Sequence, residues 1–206
     1  MIDRCRMDRR HFLALAAGVV GSPLSSLAQT VPLRAGEVEQ LTGEATAAKA
    51  GESRKLAIQL PVHIEELIRT GVNSRLALRL GAKTVLRLGA STEVRIDRYI
   101  VEAGGDIAIN DGTVMFDRIG RPLANPLNFR NPYGLIAIRG TRFYAGPSRG
   151  AFGILVEHGR VEVTAGGRTV IVPPGLGTDI SAPGQAPSRP ARWAAARMRD
   201  IRAAIA

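Results

Sequence analysis

The stretch Ser74–Asp97, SRLALRLGAKTVLRLGASTEVRID, decides the fold class of this 206-residue chain. Apolar residues alternate with small or charged ones through LALRL, again through TVLRL after the turn at 81–83, and again through EVRID. Because successive side chains of a strand point to opposite faces, this period of two predicts half-buried antiparallel strands with arginines outside. The letters LRLGA occur at Leu78 and at Leu86, which predicts one strand-and-turn unit used twice.

The same alternation extends along most of the chain. We predict further strands at Val38–Leu41, Leu56–Leu60, Ile107–Ile109, Val114–Phe116, Ile154–Glu157, Val161–Val163 and Thr169–Val172. The letters NDG at 110–112 predict a tight hairpin turn, because Asn and Asp tolerate a positive φ and Gly adopts it freely. About ten short strands at this spacing indicate an all-β fold, either a sandwich, a barrel or a solenoid, with a mainly aliphatic core.

The N-terminal segment has the pattern of an export signal. Arg9 and Arg10 precede the apolar run Phe12–Val20, and small residues follow as far as Ala28, where we predict cleavage. The letters DRRHFL resemble a twin-arginine signal, which implies export of the folded chain to the periplasm. The only cysteine, Cys5, lies inside this segment. We therefore expect a mature chain without disulfides, thiol nucleophiles or cysteine-bound metal.

The charge pattern argues against nucleic acid as a partner. The formal net charge is +10, but four of the arginines lie in the signal segment and five more in residues 189–206. A nucleic-acid-binding protein usually concentrates its charge on one face and adds aromatic residues for stacking, and this chain has only 4% aromatic residues. An acidic protein surface, an anionic lipid or lipopolysaccharide fits the charge better.

We assign the β-rich domain to residues 29–183. The amino-acid composition changes in the C-terminal region that follows. Residues 184–192, GQAPSRPAR, predict an extended Pro-rich linker, and residues 193–206 predict a basic amphipathic helix. Its apolar face contains Ala194, Met198, Ile201 and Ile205. This helix could dock on the β domain, bind a membrane surface or a partner, or form a frayed tail.

No combination of residues indicates catalysis, a cofactor or a metal. His63 and His158 lack metal-ligand spacing, and Glu65 and Glu66 are adjacent, so on a strand they would face opposite ways. A weak alternative is glycan hydrolysis by scattered carboxylates such as Glu157 and Asp179.

A weak metal alternative also exists. Asp106, Asn110 and Asp111 could supply oxygen ligands to calcium, although the spacing of a known calcium loop is missing. We therefore predict no enzyme, no cofactor and no metal site.

Six blocks of the chain resemble the FecR-type domain in order. They are GEVEQLTGEA (36–45), LIRTGVNSRLALRL (67–80), TVLRLGASTEV (84–94), NDGTVMF (110–116), PYGLIAIRGTRFYA (132–145) and GRVEV (159–163). The resemblance covers about 36–165, and its most specific part is the signature Arg139, Gly140, Thr141 and Phe143. It implies an all-β fold, a twisted solenoid-like stack of short antiparallel strands.

The best-known FecR-type domains are the periplasmic parts of membrane-anchored regulators, and others are stand-alone exported proteins. The regulators relay occupancy of an outer-membrane iron transporter to an extracytoplasmic-function sigma factor. This chain shows no segment like a cytoplasmic sigma-binding domain and no membrane span. We therefore expect a periplasmic, non-enzymatic module that signals or senses by protein contact, with contact between its C-terminal helix and an anionic membrane as a further possibility. A module that binds peptidoglycan or another glycan is the alternative.

In the signature segment Asn131–Gly146, NPYGLIAIRGTRFYAG, the apolar residues do not all fall on the same face of a regular strand. On an unbroken strand Ile136 and Ile138 would face one way and Phe143 the other. A bulge at Gly140 resets the parity, so these residues and Thr141 would share the core face. We predict a kinked, mostly buried strand, with the arginines outside or paired to carboxylates. Gly140→Val should cost about 1–3 kcal/mol if the backbone needs glycine geometry.

Overall fold

The computed structural model describes residues 32–100, 103–118 and 120–205, which form seventeen strands and one helix. The first nine strands are β1 (Arg34–Thr42), β2 (Ala45–Lys49), β3 (Glu52–Lys55), β4 (Pro61–His63), β5 (Leu67–Thr70), β6 (Arg75–Arg79), β7 (Thr84–Leu88), β8 (Glu93–Ile100) and β9 (Gly104–Asp111). The others are β10 (Val114–Arg118), β11 (Leu127–Asn131), β12 (Gly134–Ile138), β13 (Arg142–Ser148), β14 (Ala151–His158), β15 (Val161–Ala165), β16 (Arg168–Val172) and β17 (Gly177–Ile180), and α1 spans Ala195–Ala203.

The chain builds two sheets by visiting them in turn. Sheet A has the order β17-β14-β13-β10-β7-β6-β1-β4, and sheet B has the order β16-β15-β12-β11-β9-β8-β5-β2-β3. After β1 in sheet A, single strands or hairpins go alternately to sheet B and sheet A, so that the two sheets grow side by side. The predicted all-β, stacked architecture with a C-terminal helix is confirmed.

Apolar side chains of both sheets form one continuous core. The alternating residues of Ser74–Asp97 lie in it as predicted, with Leu76, Leu78, Leu86, Leu88, Val94 and Ile96 at most 2% exposed. Phe129 lies edge-on to Phe116 and Phe143, with ring centroids 5.2 and 5.1 Å apart. Burial of each such side chain stabilises the fold by about 1.5–3 kcal/mol.

The two LRLGA copies lead to different connections. After the first copy the chain reverses at 81–83, and β6 pairs antiparallel with β7 through Leu78 and Leu86, as the Gly-Ala-Lys turn predicts. After the second copy the chain leaves sheet A and enters β8 in sheet B. The unit is thus repeated as a strand but not as a turn.

The hairpin prediction at 110–112 is wrong. β9 lies in sheet B and β10 in sheet A, so this segment carries the chain from one sheet to the other. Gly112 does have a positive φ of 83°, and its amide donates to the Asp111 carboxylate at 2.7 Å. A Cβ at Gly112 would come within 2.5 Å of the Thr92 Cα. Thr92 lies in the neighbouring crossing, which is the connection that carries the chain from β7 in sheet A to β8 in sheet B. The turn chemistry was therefore correct, but it does not determine which strand is the partner.

Two further differences concern strands. Leu56–Leu60 is a loop and not a strand: Gln59 has a φ of 69°, and its amide bonds to the Val38 carbonyl at 2.8 Å, while β3 lies just before it. In addition, β9 and β11 pair in parallel, whereas all other strand pairs of the described residues are antiparallel. The parallel pair arises because β10 between them belongs to the other sheet.

Residues 185–192 have no regular secondary structure, and they pack along the edge of sheet A. The Ser188 amide donates to the Asp179 carbonyl at 2.9 Å, and Ala191 and Gly177 exchange two backbone hydrogen bonds of 2.9 Å. Pro187 is buried. This segment covers the outer edge of β17, which would otherwise expose unpaired backbone groups.

Helix α1 docks on the outer face of sheet A, which is the first of the three arrangements considered for it. Ile201 and Ile205 are buried against Met115, Tyr144 and Leu155. Met198 is partly buried against the same cluster, whereas Ala194, which the periodicity places on this face, is exposed.

Arg197 fastens the start of α1 to sheet A. Its guanidinium makes two hydrogen bonds to the Asp179 carboxylate, at 2.5 and 2.9 Å, and one to the Ser148 hydroxyl at 2.8 Å. It also lies over the Trp193 ring, with Cζ 3.4 Å from the ring centroid. Arg197 is buried, so this ion pair fixes the helix position better than an exposed pair would.

Candidate interaction site

The signature segment spans both sheets. β12 lies in sheet B and β13 in sheet A, and Arg139–Thr141 connects them. The predicted core residues Ile136, Ile138, Thr141 and Phe143 are all at most 2% exposed. The predicted burial is therefore confirmed, but the cause is a crossing between sheets and not a bulge in one strand.

Gly140 lies where three crossings meet. Its φ is not in the left-handed region, so it does not need glycine for its backbone conformation. A Cβ at Gly140 would lie 3.1 Å from the Pro122 Cα, and a Cβ at Gly159 would lie 2.5 Å from the Gly140 carbonyl oxygen. The expected cost of Gly140→Val therefore comes from this close packing.

The two arginines of the signature segment differ in their partners. Both are exposed. The Arg142 Nε atom lies 3.3 Å from the Glu157 carboxylate and 3.6 Å from that of Asp117, and Glu157 also accepts from Arg202 of α1. The Arg139 guanidinium has no such partner among the described residues. Within the described part of the chain, Arg139 is therefore available to bind a partner molecule.

An open groove of about 630 Å³ lies beside Arg139 on the outer face of sheet B. Its lining residues come from the ends of β12, β15 and β16 and from the loop after β10. They are Pro122, Pro126, Ala137, Ile138, Arg139, Gly140, Arg160, Glu162 and Ile171. Ile171 is 53% exposed, which is unusual for a large apolar side chain of this protein. The volume is in the range of ligand-binding pockets.

Both arginines that line the groove lack a carboxylate partner among the described residues. Most exposed arginines on the sheets have carboxylate partners, for example Arg69 with Glu93 at 2.5 Å and Arg98 with Asp106 at 2.7 Å. Arg139 and Arg160 have none within the described part of the chain. The sequence analysis identified Arg139 through its motif but did not identify Arg160, because only the fold brings the two together.

A second polar cluster surrounds Glu66. The Arg54 guanidinium donates to both carboxylate oxygens of Glu66, at 2.9 and 2.8 Å, and the His63 amide donates at 2.8 Å. Burial would raise the pKa of Glu66, but the hydrogen bonds from His63 and Arg54 together lower it below its usual value. Glu65 points outward to Lys49 at 2.9 Å, so the two carboxylates face different ways, but both residues lie in the connection between β4 and β5 and not on a strand. The cluster holds β3 against β4.

The carboxylates considered for glycan hydrolysis are far apart. Asp179 lies opposite Gly153 on the neighbouring strand, and Glu157 is four residues farther along. At about 3.3 Å per residue this separates the two by about 13 Å, more than the ~5–9.5 Å of glycosidase pairs. Each also accepts hydrogen bonds from an arginine of α1. Their geometry does not match that chemistry.

The other candidate side chains are not gathered into one site. His158 is exposed, and His63 Nδ1 lies 3.3 Å from Glu66. Asp106 pairs with Arg98, Asn110 donates to Glu93 at 2.8 Å, and Asp111 caps Gly112, so the three proposed calcium ligands have separate partners. Within the described ranges no group of three or more acidic, His or Cys residues could hold a metal ion.

The predicted signal residues Arg9, Arg10 and Ala28 lie outside the described residues. Among the residues that are described, α1 is the one helix, and neither its length nor its hydropathy suits a membrane crossing.

Comparison with known proteins supports the resemblance to the FecR-type domain. Residues 66–162 match the family described as "FecR protein". The match begins 30 residues later than the predicted 36–165 and ends close to the same point, so β1–β4 lie outside it. It includes the signature at 139–143 and most of the groove. None of the curated proteins matches this sequence significantly.

Two crystal structures from Parabacteroides distasonis ATCC 8503 share the fold. Both, at 1.65 and 2.50 Å resolution, are of a protein described as a "putative anti-sigma factor". Each has a TM-score of 0.54 and 15% sequence identity, over 65% of this chain and 62% of the other. This chain thus spans less than two thirds of the length of that protein, and the likeness concerns the fold.

Proposed function

We propose that this chain is an exported, non-enzymatic interaction module of the cell envelope that takes part in signalling or sensing through contact with a protein. The observation that carries the proposal is the match to the FecR family over 66–162. These residues contain most strands of both sheets and all of the groove lining except Ile171. The proposed contact is therefore made by the β domain itself.

Export to the periplasm is the second part of the proposal. It is supported by Arg9 and Arg10, the apolar run that follows and the small residues before Ala28. The part of the chain after Ala28 has no cysteine. Because it forms no disulfide, it can fold without an oxidising compartment. That property fits a protein that folds before it crosses the membrane.

Glycan binding is the alternative, and the aromatic residues do not favour it. Proteins that hold sugars usually offer exposed aromatic faces. Here Tyr133 stacks on Phe152 with centroids 4.8 Å apart, Trp193 stacks on Arg197, and the other described aromatic side chains are buried. No exposed aromatic platform is present in the described part of the protein.

Affinity purification from an envelope extract separates the two functions. The chain without residues 1–28 serves as bait, and in parallel it is mixed with purified peptidoglycan and pelleted. We expect one specific protein in the eluate and no pelleting. A bait that recovers no protein but pellets with peptidoglycan would reverse the proposal.

Cell fractionation tests export. Replacing Arg9 and Arg10 by Lys should leave the full-length precursor in the cytoplasm, because the twin-arginine route requires the arginine pair. The matched control replaces Arg4 and Arg6 by Lys, which keeps the same charge and should leave export unchanged. Equal export of both variants would contradict the twin-arginine route.

A further inference from the structure

We propose that the groove beside Arg139 binds an extended, acidic segment of a partner protein. The inference rests on the proposed function and adds the place of contact and the chemistry of the partner. Four features of the groove support it: its two unpaired arginines, its apolar lining, its length and the position of its one carboxylate.

The charge of the groove favours an acidic ligand. Arg139 and Arg160 are exposed and have no ion pair or hydrogen bond with other described residues through their side chains. The planar guanidinium group matches a carboxylate in two parallel hydrogen bonds, which are stronger than neutral ones. Each arginine therefore offers a carboxylate-binding position that no other described residue occupies.

The apolar lining favours a peptide over an isolated anion. Pro122, Pro126, Ala137 and Ile171 supply apolar surface next to the two arginines, which lie side by side because Ile138 and Val161 are opposite each other in β12 and β15. In sheet B, Ala137 lies opposite Glu162 and Glu162 opposite Ile171, so these residues form one row across three strands. Because successive side chains of an extended ligand point to opposite sides, a segment with acidic and aliphatic residues two positions apart would present both kinds to the groove.

The length of the groove fits a short extended segment. The row from β12 to β16 crosses two strand spacings of about 4.8 Å, or about 10 Å, and Pro122 and Pro126 of the loop after β10 add further lining. The row alone corresponds to about three residues of extended chain at ~3.3 Å each.

The carboxylate in the groove argues against an anionic membrane as the ligand. Glu162 lies on β15 in the lining surface, two residues from Arg160 and opposite Ala137, and a membrane would bring phosphates toward it as well as toward the arginines. A peptide can place its own acidic residues at Arg139 and Arg160 and a neutral residue at Glu162. The groove is also concave, whereas a membrane surface is flat on this scale.

Fluorescence anisotropy tests the inference with a labelled eight-residue peptide of two Glu-Glu-Val-Val repeats, which presents Glu and Val in turn on each side of an extended chain. The comparison peptide has two Lys-Lys-Val-Val repeats. We expect the acidic peptide to bind, to weaken with added salt, and to bind about tenfold or more weakly after Arg139→Glu with Arg160→Glu, since one decade is 1.4 kcal/mol. The variant Arg139→Gln with Arg160→Gln should show an intermediate loss.

The control variant replaces Arg149 and Arg168 by Glu. Both arginines are exposed, have no partner among described residues and do not line the groove, and the change in net charge is the same. This variant should bind the acidic peptide within about twofold of the wild type. Circular dichroism confirms that each variant is folded.

A parallel assay measures binding to phosphatidylglycerol vesicles. Three outcomes would overturn the inference: the wild type shows no salt-sensitive peptide binding, the groove and control variants lose peptide binding equally, or the groove variant loses binding to the vesicles but not to the acidic peptide. The affinity purification from envelope extract tests the proposed function separately. If the groove variant still recovers the partner from envelope extract, the inference fails and the proposed function stands. If the wild-type chain recovers no partner, the proposed function fails, while the peptide assay still reports on the groove.

Discussion

At the scale of single residues, close backbone packing explains the signature better than backbone conformation does. Gly140 has an ordinary φ and lies against Pro122. The residue that needs glycine more is its neighbour in space, Gly159, which combines a φ of 81° with a close approach to the Gly140 carbonyl. The signature thus depends on a residue about twenty positions away.

Gly159→Ala tests this packing. We expect it to lower the free energy of unfolding by about 2–4 kcal/mol, through the left-handed φ and the contact with the Gly140 carbonyl. Gly167→Ala is the matched control, because its φ is 72° but no atom lies within 4 Å of its Cβ position. It should cost about 1 kcal/mol. Urea denaturation measures both, and equal costs would refute the packing argument.

Glu66 makes the free energy of unfolding depend on pH in the acidic range. Its folded-state pKa is lowered, so it stabilises the protein fully above the unfolded pKa of about 4.3 and loses this contribution as pH falls through the lower folded value. Glu66→Gln should therefore remove about 1–3 kcal/mol at pH 7 and flatten the fall in stability below pH ~4.3. Thermal unfolding between neutral and acidic pH measures it.

The adjacent Glu65→Gln is the control for Glu66. Glu65 is exposed and its ion pair with Lys49 is screened by water, so its replacement should change stability little. If the two variants behaved alike, the buried cluster around Glu66 would not be the source of the acid dependence.

At the scale of elements, strands were predictable and their partners were not. Alternation of apolar residues depends on neighbours two positions away, and it correctly predicted the strands of Ser74–Asp97. Whether a turn closes a hairpin or carries the chain to the other sheet depends on distant strands. This is why LRLGA at Leu78 and at Leu86 has two outcomes, and why Asn110–Gly112 was mistaken for a hairpin.

Helix α1 could be predicted as a helix, but its docking could not. Its apolar face is short, and the cluster that receives it comes from outward-facing residues of β10, β13 and β14, namely Met115, Tyr144 and Leu155. On those strands the outward positions are apolar because the helix covers them. No property of residues 193–206 alone identifies that surface.

Trp193 reports on this docking, because it is the only tryptophan of the chain. Ile201→Glu should release α1, with a cost of about 2–4 kcal/mol and a shift of Trp193 fluorescence to longer wavelength. Ala203→Glu places the same residue on the exposed side of α1 and should leave the spectrum unchanged. A helix that lay free in solution would give the same spectrum in both variants.

At the scale of the whole molecule, the alternation between two sheets creates the groove. The chain crosses between the sheets after β10, after β12 and after β14, and these crossings converge at Gly140, Pro122 and Gly159. They bring Arg139 and Arg160 together beside the outer face of sheet B. The sequence reveals the motif around Arg139, but this groove depends on strand order and was not predictable from it.

Photo-crosslinking in living cells tests the central claim, that this chain acts in the envelope by protein contact. A photoreactive amino acid is placed at Ile171, in the groove, and for comparison at Val72, which is 79% exposed and lies outside the groove. We predict one discrete cross-linked product from the periplasm at Ile171 and none at Val72. An exported, folded protein that gives no product at either position would contradict the account.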